Sequence, residues 1–558
     1  MPSRPLSLFT AAALALFVIV CFLAIDDLGH RKLANPDEGR YSVLAREMAQ
    51  SGDFITPRLN GLKYFEKPPL QYWMSALSFR IFGESEWSAR LYTALCGLLC
   101  LCIVGYTGAR LFTREVGIFS ALALMGCPYF MALAEIITLD MGLTFWTTLS
   151  LCAFLLGQRE TEHPSHRRWL WLAWAATAGA VLSKGLIGVL FPAAALFLYC
   201  LSMRDFSRLK KLEWGMGLLI FSVIAAPWFI WVSAHNPEFP HFFFIHEHVE
   251  RFLTTTHRRV EPFWFFVPIL LIGTLPWTFM LGHAVWRGWQ QQHAQPVFHP
   301  LRFALLWSAF IFLFFSASGS KLPAYILPLF PSLALILGFY ISTVPGRILA
   351  RFILPIPFCA LIGIYVAYVA PALRARDSFT HLLYEQYSAF LMGAAALLFT
   401  GSAAALVALW RESKVSRRWG IAVLALTSAF MVEVIEHGYE TLSPLQSGYA
   451  TAQAMLKHMT PETRLYAVKI YDQTLPFYLK RNMMLVDYYD EFLLGIEQEP
   501  EKVIAKIKDF PADWLKPGPA MAIIQPDLYE QLKSEGLPME RIHQDARRVA
   551  IKKPDQNQ

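Results

Sequence analysis

Four groups of charged residues in this chain stand beside long apolar stretches, where an ionised side chain is costly and needs a reason. The first is Asp37-Glu38, shortly after the first apolar stretch. Helix capping accounts for Glu38, since acids favour a first helical turn, while Asp37 is better placed for a functional role. The second is Lys63-Tyr-Phe-Glu-Lys-Pro-Pro-Leu70. Two prolines after a charged pair stiffen the backbone and stop a helix, fixing the directions of Glu66 and Lys67. A solvated surface turn is the bland alternative, and the neighbouring Tyr64 and Phe65 argue against it. The third is Glu135-Ile-Ile-Thr-Leu-Asp140, a short turn between two apolar stretches, where Asp140 is placed to cap the following helix. The fourth is a cationic set, Lys184, Arg251, Arg258, Arg259 and Lys321. Anchoring at a membrane interface explains any one of them; a phosphate-bearing substrate explains the set, because Arg and Lys are its usual partners. His241, His246 and His248 share a loop with Arg251, but without the tight spacing of a metal site they read as pocket-lining residues.

The elements that must carry these residues are membrane spans. Of 558 residues, 55% are hydrophobic and 16% charged, against about 25% charged in a soluble domain. Hydropathy predicts about thirteen spans, the first at 8–25 and the last at 419–436. Short connecting loops concentrate Arg and Lys, so the net charge of +7 reads as topology and not as nucleic-acid binding. Placing those loops in the cytoplasm puts the N-terminus inside and leaves 26–89, 234–263, 372–387 and the region after Tyr439 outside. All eight cysteines lie in apolar segments and read as buried free thiols. Asn35 at the N-cap, Pro36 at the first helical position and Glu38 at the third mark the start of a helix, expected to lie along the membrane surface, and a second is expected over 70–82. After about Ser443 the composition becomes that of a soluble domain. Strands near 464–471, 521–525 and 548–552 alternate with helices over 500–508 and 526–535, predicting a small α/β domain. The expected division is a membrane domain, 1–440, with 26–89 as its first outer loop, and an external domain, 441–558.

Taken together, Asp-Glu after the first span, a long first outer loop, Tyr-Phe-Glu-Lys-Pro-Pro-Leu and Thr-Leu-Asp at the second outer turn resemble the polyprenyl-phosphate-sugar glycosyltransferases of the GT-C fold. Protein O-mannosyltransferases belong to that group, and the resemblance is greatest to the bacterial 4-amino-4-deoxy-L-arabinose lipid A transferases. It implies an inner-membrane enzyme with undecaprenyl-phosphate aminoarabinose as donor and a lipid A phosphate as acceptor, and, through the altered surface charge, resistance to polymyxin and cationic peptides. Carried over residue by residue, it implies that Lys67 and Arg251 hold the carrier phosphate, assisted by Lys184, Tyr64 and Tyr325. Asp37 and Asp140 would face the sugar and the acceptor. Glu66, with His246, would shape the pocket; the same two residues are the candidate ligands for zinc or another divalent metal, although the transfer itself requires no cofactor.

Two other readings remain open on sequence grounds. One keeps the fold and replaces the acceptor by a protein hydroxyl or another glycan. The other is a sugar-lipid transporter, which would place polar sites near the bilayer midplane; here the ionisable residues cluster at one face.

Overall fold

The computed structural model describes residues 25–159, 165–250, 261–291 and 298–554, with backbone alone for 248–250. The first expected span, except Ile25, lies outside the described residues, as do Arg251, Arg258, Arg259 and the His248 side chain. The chain divides into two units, Met1–Leu28 with Arg90–Gly438, and Gly29–Ala89 with Tyr439–Gln558.

The first unit is helical. Each later span expected from hydropathy falls on a helix or a broken pair of helices. Among the described residues, eight helices are long and apolar enough to cross a membrane, or ten when each of two bent pairs counts as one span. The remaining expected spans are the first, which lies almost wholly outside the described residues, and two helices that are less apolar or shorter for local reasons. Ser165–Lys184 opens on His166, Arg167 and Arg168, and Ile187–Met203 is short. The bent pairs turn by 66° between Arg114–Met125 and Pro128–Glu135, and by 98° between Phe266–Gly273 and Thr278–Gln290. Pro128 and Pro276 sit at these breaks, where a missing N–H interrupts the helical ladder. Small residues allow the helices to approach closely: a Cβ on Gly188 would lie 2.4 Å from the Ala180 carbonyl carbon, so only glycine lets Ile187–Met203 pack directly onto Ser165–Lys184.

The second unit is α/β and draws on both ends of the chain. Strands β1 (Arg58–Leu59) and β2 (Leu62–Lys63) form a hairpin through Asn60-Gly61, both with positive φ. This is the dipeptide a two-residue hairpin requires. The five-stranded sheet comprises β3 (Arg464–Val468), β4 (Met484–Val486), β5 (Ala520–Ile524), β6 (Glu540–Gln544) and β7 (Val549–Lys552), in the order β4-β3-β5-β7-β6. β3 runs parallel to β4 and β5; β7 runs antiparallel to β5 and β6. β5 is buried along its whole length, as a central strand covered on both faces must be. Tyr466, Phe510, Trp514, Ile524 and Leu532 fill one face.

The boundary differs from the one read in the sequence. Residues 29–89, expected to belong to the membrane domain, join the C-terminal region in one unit. The helix Asp37–Ser51 packs into this unit on more than its apolar face. Tyr41, Val43, Leu44 and Met48 are buried, and so are Glu38, Ser42 and Arg46. A Cβ on its Gly39 would lie 2.5 Å from the Gln473 carbonyl carbon. Arg46 donates to the Pro476 carbonyl and, at 2.9 Å, to Asn482 Oδ1. Asn60 bonds the Met483 backbone in both directions, at 2.6 and 2.8 Å. The polar residues that made this segment look like a loop over lipid are the ones that tie it to the sheet unit. The helix expected over 500–508 is two short 3-10 turns, and β4 and β6 were not anticipated.

A buried ion cluster closes this unit. Asp472 and Arg548 are both fully buried and paired. Arg548 also donates to Asp545 Oδ2 at 2.8 Å and to the Ser447 carbonyl at 3.1 Å. Burial alone would raise the Asp472 carboxyl, but Arg548, Thr474 and Arg547 outweigh it and hold the group below the usual range. Arg548→Ala leaves a buried carboxylate unpaired and is expected to cost about 3–5 kcal/mol. A lower unfolding temperature of the purified protein checks this, with the Asp472→Asn, Arg548→Met pair less damaging than Arg548→Ala alone.

Glu47 supplies a pH-dependent element. Both its oxygens accept from the Gly61 N–H, at 3.1 and 3.0 Å. Burial pushes its carboxyl up from 4.5 to about 7, against the lowering effects of Arg46, the Gly61 and Asn60 amides and Arg58. The folded state thus binds this proton more tightly than the unfolded chain, so stability is gained as pH falls from about 7 to about 4.5 and is constant below. Relative to Glu47→Gln, the wild type should gain unfolding temperature across that window.

Candidate active site

In the α/β unit the helix Asp37–Ser51 presents Asp37 in its first turn, after Pro36. Asn35 is not the cap the sequence suggested; its Nδ2 donates to Gln473 Oε1 at 2.7 Å instead. Glu38 does the structural work, accepting from the Ala34 N–H at 2.9 Å and from Arg31 at 2.8 Å. Asp37 remains about 39% exposed and pairs with Arg40 at 2.7 Å. Arg40 also pairs with Glu491, which accepts from Gln473 Nε2 at 2.7 Å. An unbroken line of contacts therefore joins Asn35, Gln473, Glu491, Arg40 and Asp37. Arg40, Gln473 and Glu491 were not among the residues singled out in the sequence: an arginine one turn after an aspartate reads as an ordinary surface pair, and nothing local signals its partner some 450 positions later.

Tyr64, Glu66 and Lys67 follow β2, ahead of the helix Leu70–Phe82 that buried Pro69 caps. Glu66 and Lys67 are half-buried, and the Lys67 ammonium donates to the Glu66 carbonyl at 2.6 Å. Tyr64 is buried, and its hydroxyl has no hydrogen-bond partner among the described residues. Burial, with the Glu66 charge, raises its phenol well above the usual value. Tyr41 and Tyr72 stack at 5.9 Å beside it. The result is a buried row of phenols beside one carboxylate and Arg40.

In the membrane unit Asp140 stands in the first turn of Leu139–Arg159, and Lys184 ends Ser165–Lys184. Gly185, at φ 86°, turns the chain immediately after it. Asp140 and Lys184 form an ion pair whose side chains are 9% and 11% exposed. The Lys184 ammonium also lies 4.5 Å from the centroid of the Tyr325 ring. Asp140, Lys184 and Tyr325, far apart in sequence, are thus brought together. Lys321 is not an outward cation: it donates to the Ser318 and Glu261 carbonyls at 2.7 and 2.9 Å. His246 stacks on Phe242 at 5.2 Å.

Two family models match the sequence: "Dolichyl-phosphate-mannose-protein mannosyltransferase" over residues 9–243, and "Aminoarabinose transferase C-terminal domain" over 451–553. An undecaprenyl phosphate-alpha-4-amino-4-deoxy-L-arabinose arabinosyl transferase of Shewanella sediminis is 34% identical over 333 residues, 59% of this chain and 59% of its own length. A protein of the same name from Aeromonas salmonicida is 30% identical over 417 residues, 74% of each chain. The crystal structure of ArnT from Cupriavidus metallidurans bound to undecaprenyl phosphate superposes with a TM-score of 0.90 at 34% identity, covering 97% of this chain and 98% of that one. The chain belongs to the aminoarabinose transferase family. It is a membrane glycosyltransferase of the GT-C fold. The C-terminal family model coincides with the region carrying β3 to β7, so the α/β sheet unit is part of the aminoarabinose transferase architecture.

Proposed function

We propose that the protein transfers 4-amino-4-deoxy-L-arabinose from undecaprenyl phosphate to a lipid A phosphate at the periplasmic face of the inner membrane, with its N-terminus cytoplasmic, and so lowers sensitivity to polymyxin and other cationic peptides. The full-length likeness to a relative crystallised with undecaprenyl phosphate carries this reading. In the transfer, the bond from the sugar's anomeric carbon to the carrier phosphate breaks as a bond to an acceptor phosphate oxygen forms. One phosphodiester becomes a monoester and one monoester becomes a diester, so the charges balance and no proton need be removed. Positive charge grows on the ring and negative charge on the departing phosphate. Cations fixed at that phosphate stabilise the transition state more than the ground state.

Lys67, Arg251 and Lys184 take that role in this reading, with Tyr64 and Tyr325 as donors and ring faces. Asp37 binds the sugar's ammonium or orients the acceptor, Asp140 sets Lys184, and Glu66 shapes the sugar pocket. Glu66 and His246 offer two ligands, short of the three or four that zinc draws from protein, so no step is assigned to a metal. The mannosyltransferase model over 9–243 favours a second reading with a protein hydroxyl as acceptor; Asp37 would then act as general base. Purified protein in liposomes, given carrier-linked aminoarabinose and either lipid A or a Ser/Thr-rich peptide, separates the two. Mass increase of lipid A alone is expected; mass increase of the peptide alone would overturn the lipid acceptor.

A further inference from the structure

The membrane unit holds a cavity of about 370 Å³ among the helices Leu139–Arg159, Ser165–Lys184 and Ile187–Met203. Its size falls within the range of small-ligand pockets, about 300–1,000 Å³. It is not the candidate active site. Ser150, Leu151 and Phe154 line it ten to fourteen residues beyond Asp140 on the same helix, roughly 15–20 Å further along.

Its chemistry is that of a slot for a hydrocarbon chain. Leu151, Leu170 and Leu196 form a buried back wall, while Val189, Phe197 and Trp214 stand exposed at the open side. The polar groups within it are already satisfied. Ser150 and Thr177 bond each other at 2.8 Å, Thr177 also donates to the Ala173 carbonyl, and Trp174 Nε1 donates to the Leu212 carbonyl at 2.9 Å. Nothing inside asks for a polar ligand, and water would find no partners there.

One end of the slot is charged. Leu209 and Leu212 line it, and between them Lys210 and Lys211 are exposed. Neither lysine is engaged in an ion pair among the described residues. The acids nearby are taken: Asp205 pairs with Arg208 at 3.5 Å and accepts from Ser207, and Glu213 pairs with Arg167 at 3.3 Å. Arg208 is occupied as well, donating to Gln158 at 2.7 Å and lying over the Phe298 ring. Both lysines are therefore available to an anion at the mouth.

We infer that this slot binds an anionic diacyl phospholipid of the surrounding membrane, one acyl chain lying between the helices and the phosphate resting on Lys210 and Lys211. The acyl chain contributes by exchanging loosely packed lipid for close van der Waals contact with a fitted apolar wall, and the lysines supply headgroup selectivity.

The test uses the full-length protein in detergent, with phosphatidylglycerol or phosphatidylcholine of identical chains added, and counts retained lipid by native mass spectrometry. One phosphatidylglycerol is expected to survive at about tenfold lower lipid concentration than phosphatidylcholine. Lys210→Glu with Lys211→Glu should abolish that preference, and Ala193→Trp, which fills the slot, should remove the tightly held lipid of either class. Aminoarabinose transfer by each variant reports that it is folded. Equal retention of the two lipids, or retention unchanged in both variants, would overturn the inference. So would displacement of the held lipid by undecaprenyl phosphate alone, which would make the slot a carrier site.

Discussion

Replacing Lys184 by alanine is expected to slow transfer about 100- to 1,000-fold, the range for removing one fixed group aimed at developing charge. Two facts make this residue critical. It ends a helix whose last two turns are buried, with its ammonium over the Tyr325 ring, and it is the partner of Asp140. The substitution also leaves Asp140 uncompensated, which threatens folding by about 3–5 kcal/mol, so the single variant does not separate the two roles. The pair Asp140→Asn, Lys184→Met does, because it removes both charges at nearly constant volume. If the ion pair is only a structural tie, that double variant folds and regains most of the activity. On the assignment made here it unfolds near the wild-type temperature and remains inactive. Rates with carrier-linked sugar, measured beside thermal unfolding of the same preparations, give the answer.

Glu491→Gln is expected to lower kcat about 10- to 100-fold, with a smaller effect on KM. Glu491 holds Arg40, and Arg40 holds Asp37. A group misplaced by about 1 Å can cost a reaction about 100-fold, and glutamine keeps the hydrogen bond to Gln473 while giving up the charge that restrains the guanidinium. The pH profile separates positioning from a general loss of stability. Burial, aided by Glu66 and Asp490, raises the Glu491 carboxyl above the usual range in spite of Arg40 and Gln473. As pH falls through that raised value Glu491 becomes neutral, Arg40 loosens and wild-type activity drops. The Gln variant should lack this acidic limb and run at its low rate throughout; a limb of unchanged position in the variant would remove Glu491 from the control of Asp37.

The membrane character, the helices at 37–51 and 70–82 and the strands around 464, 520 and 549 were legible because each rests on a local signal: apolar length, proline placement or a short apolar stretch in a polar region. The sequence also singled out Asp140, Lys184 and Tyr325, which the fold gathers. What it concealed was long-range partnership. The partners of Arg46, Asn60 and Arg40 lie more than 400 residues away, and no periodicity within a window of 10–20 residues reports such a pairing. Asn60-Gly61 carried a strong hairpin signal that two-residue strands obscured. Hydropathy placed the spans but not their breaks, since an average over a window cannot see a 98° bend.

The sheet unit is assembled from residues near the start of the chain and residues at its end, with roughly 350 residues between them. At ribosomal speeds of about 5–20 residues per second, the early segment waits on the order of 20–70 s for its partner. During that interval Arg46 and Asn60 have no Pro476 or Met483 to bind. A product cut short before Pro476 therefore lacks the partners of Arg46, Asn60 and Arg40 altogether, and the segment bearing Asp37 is left without the contacts that hold it in place.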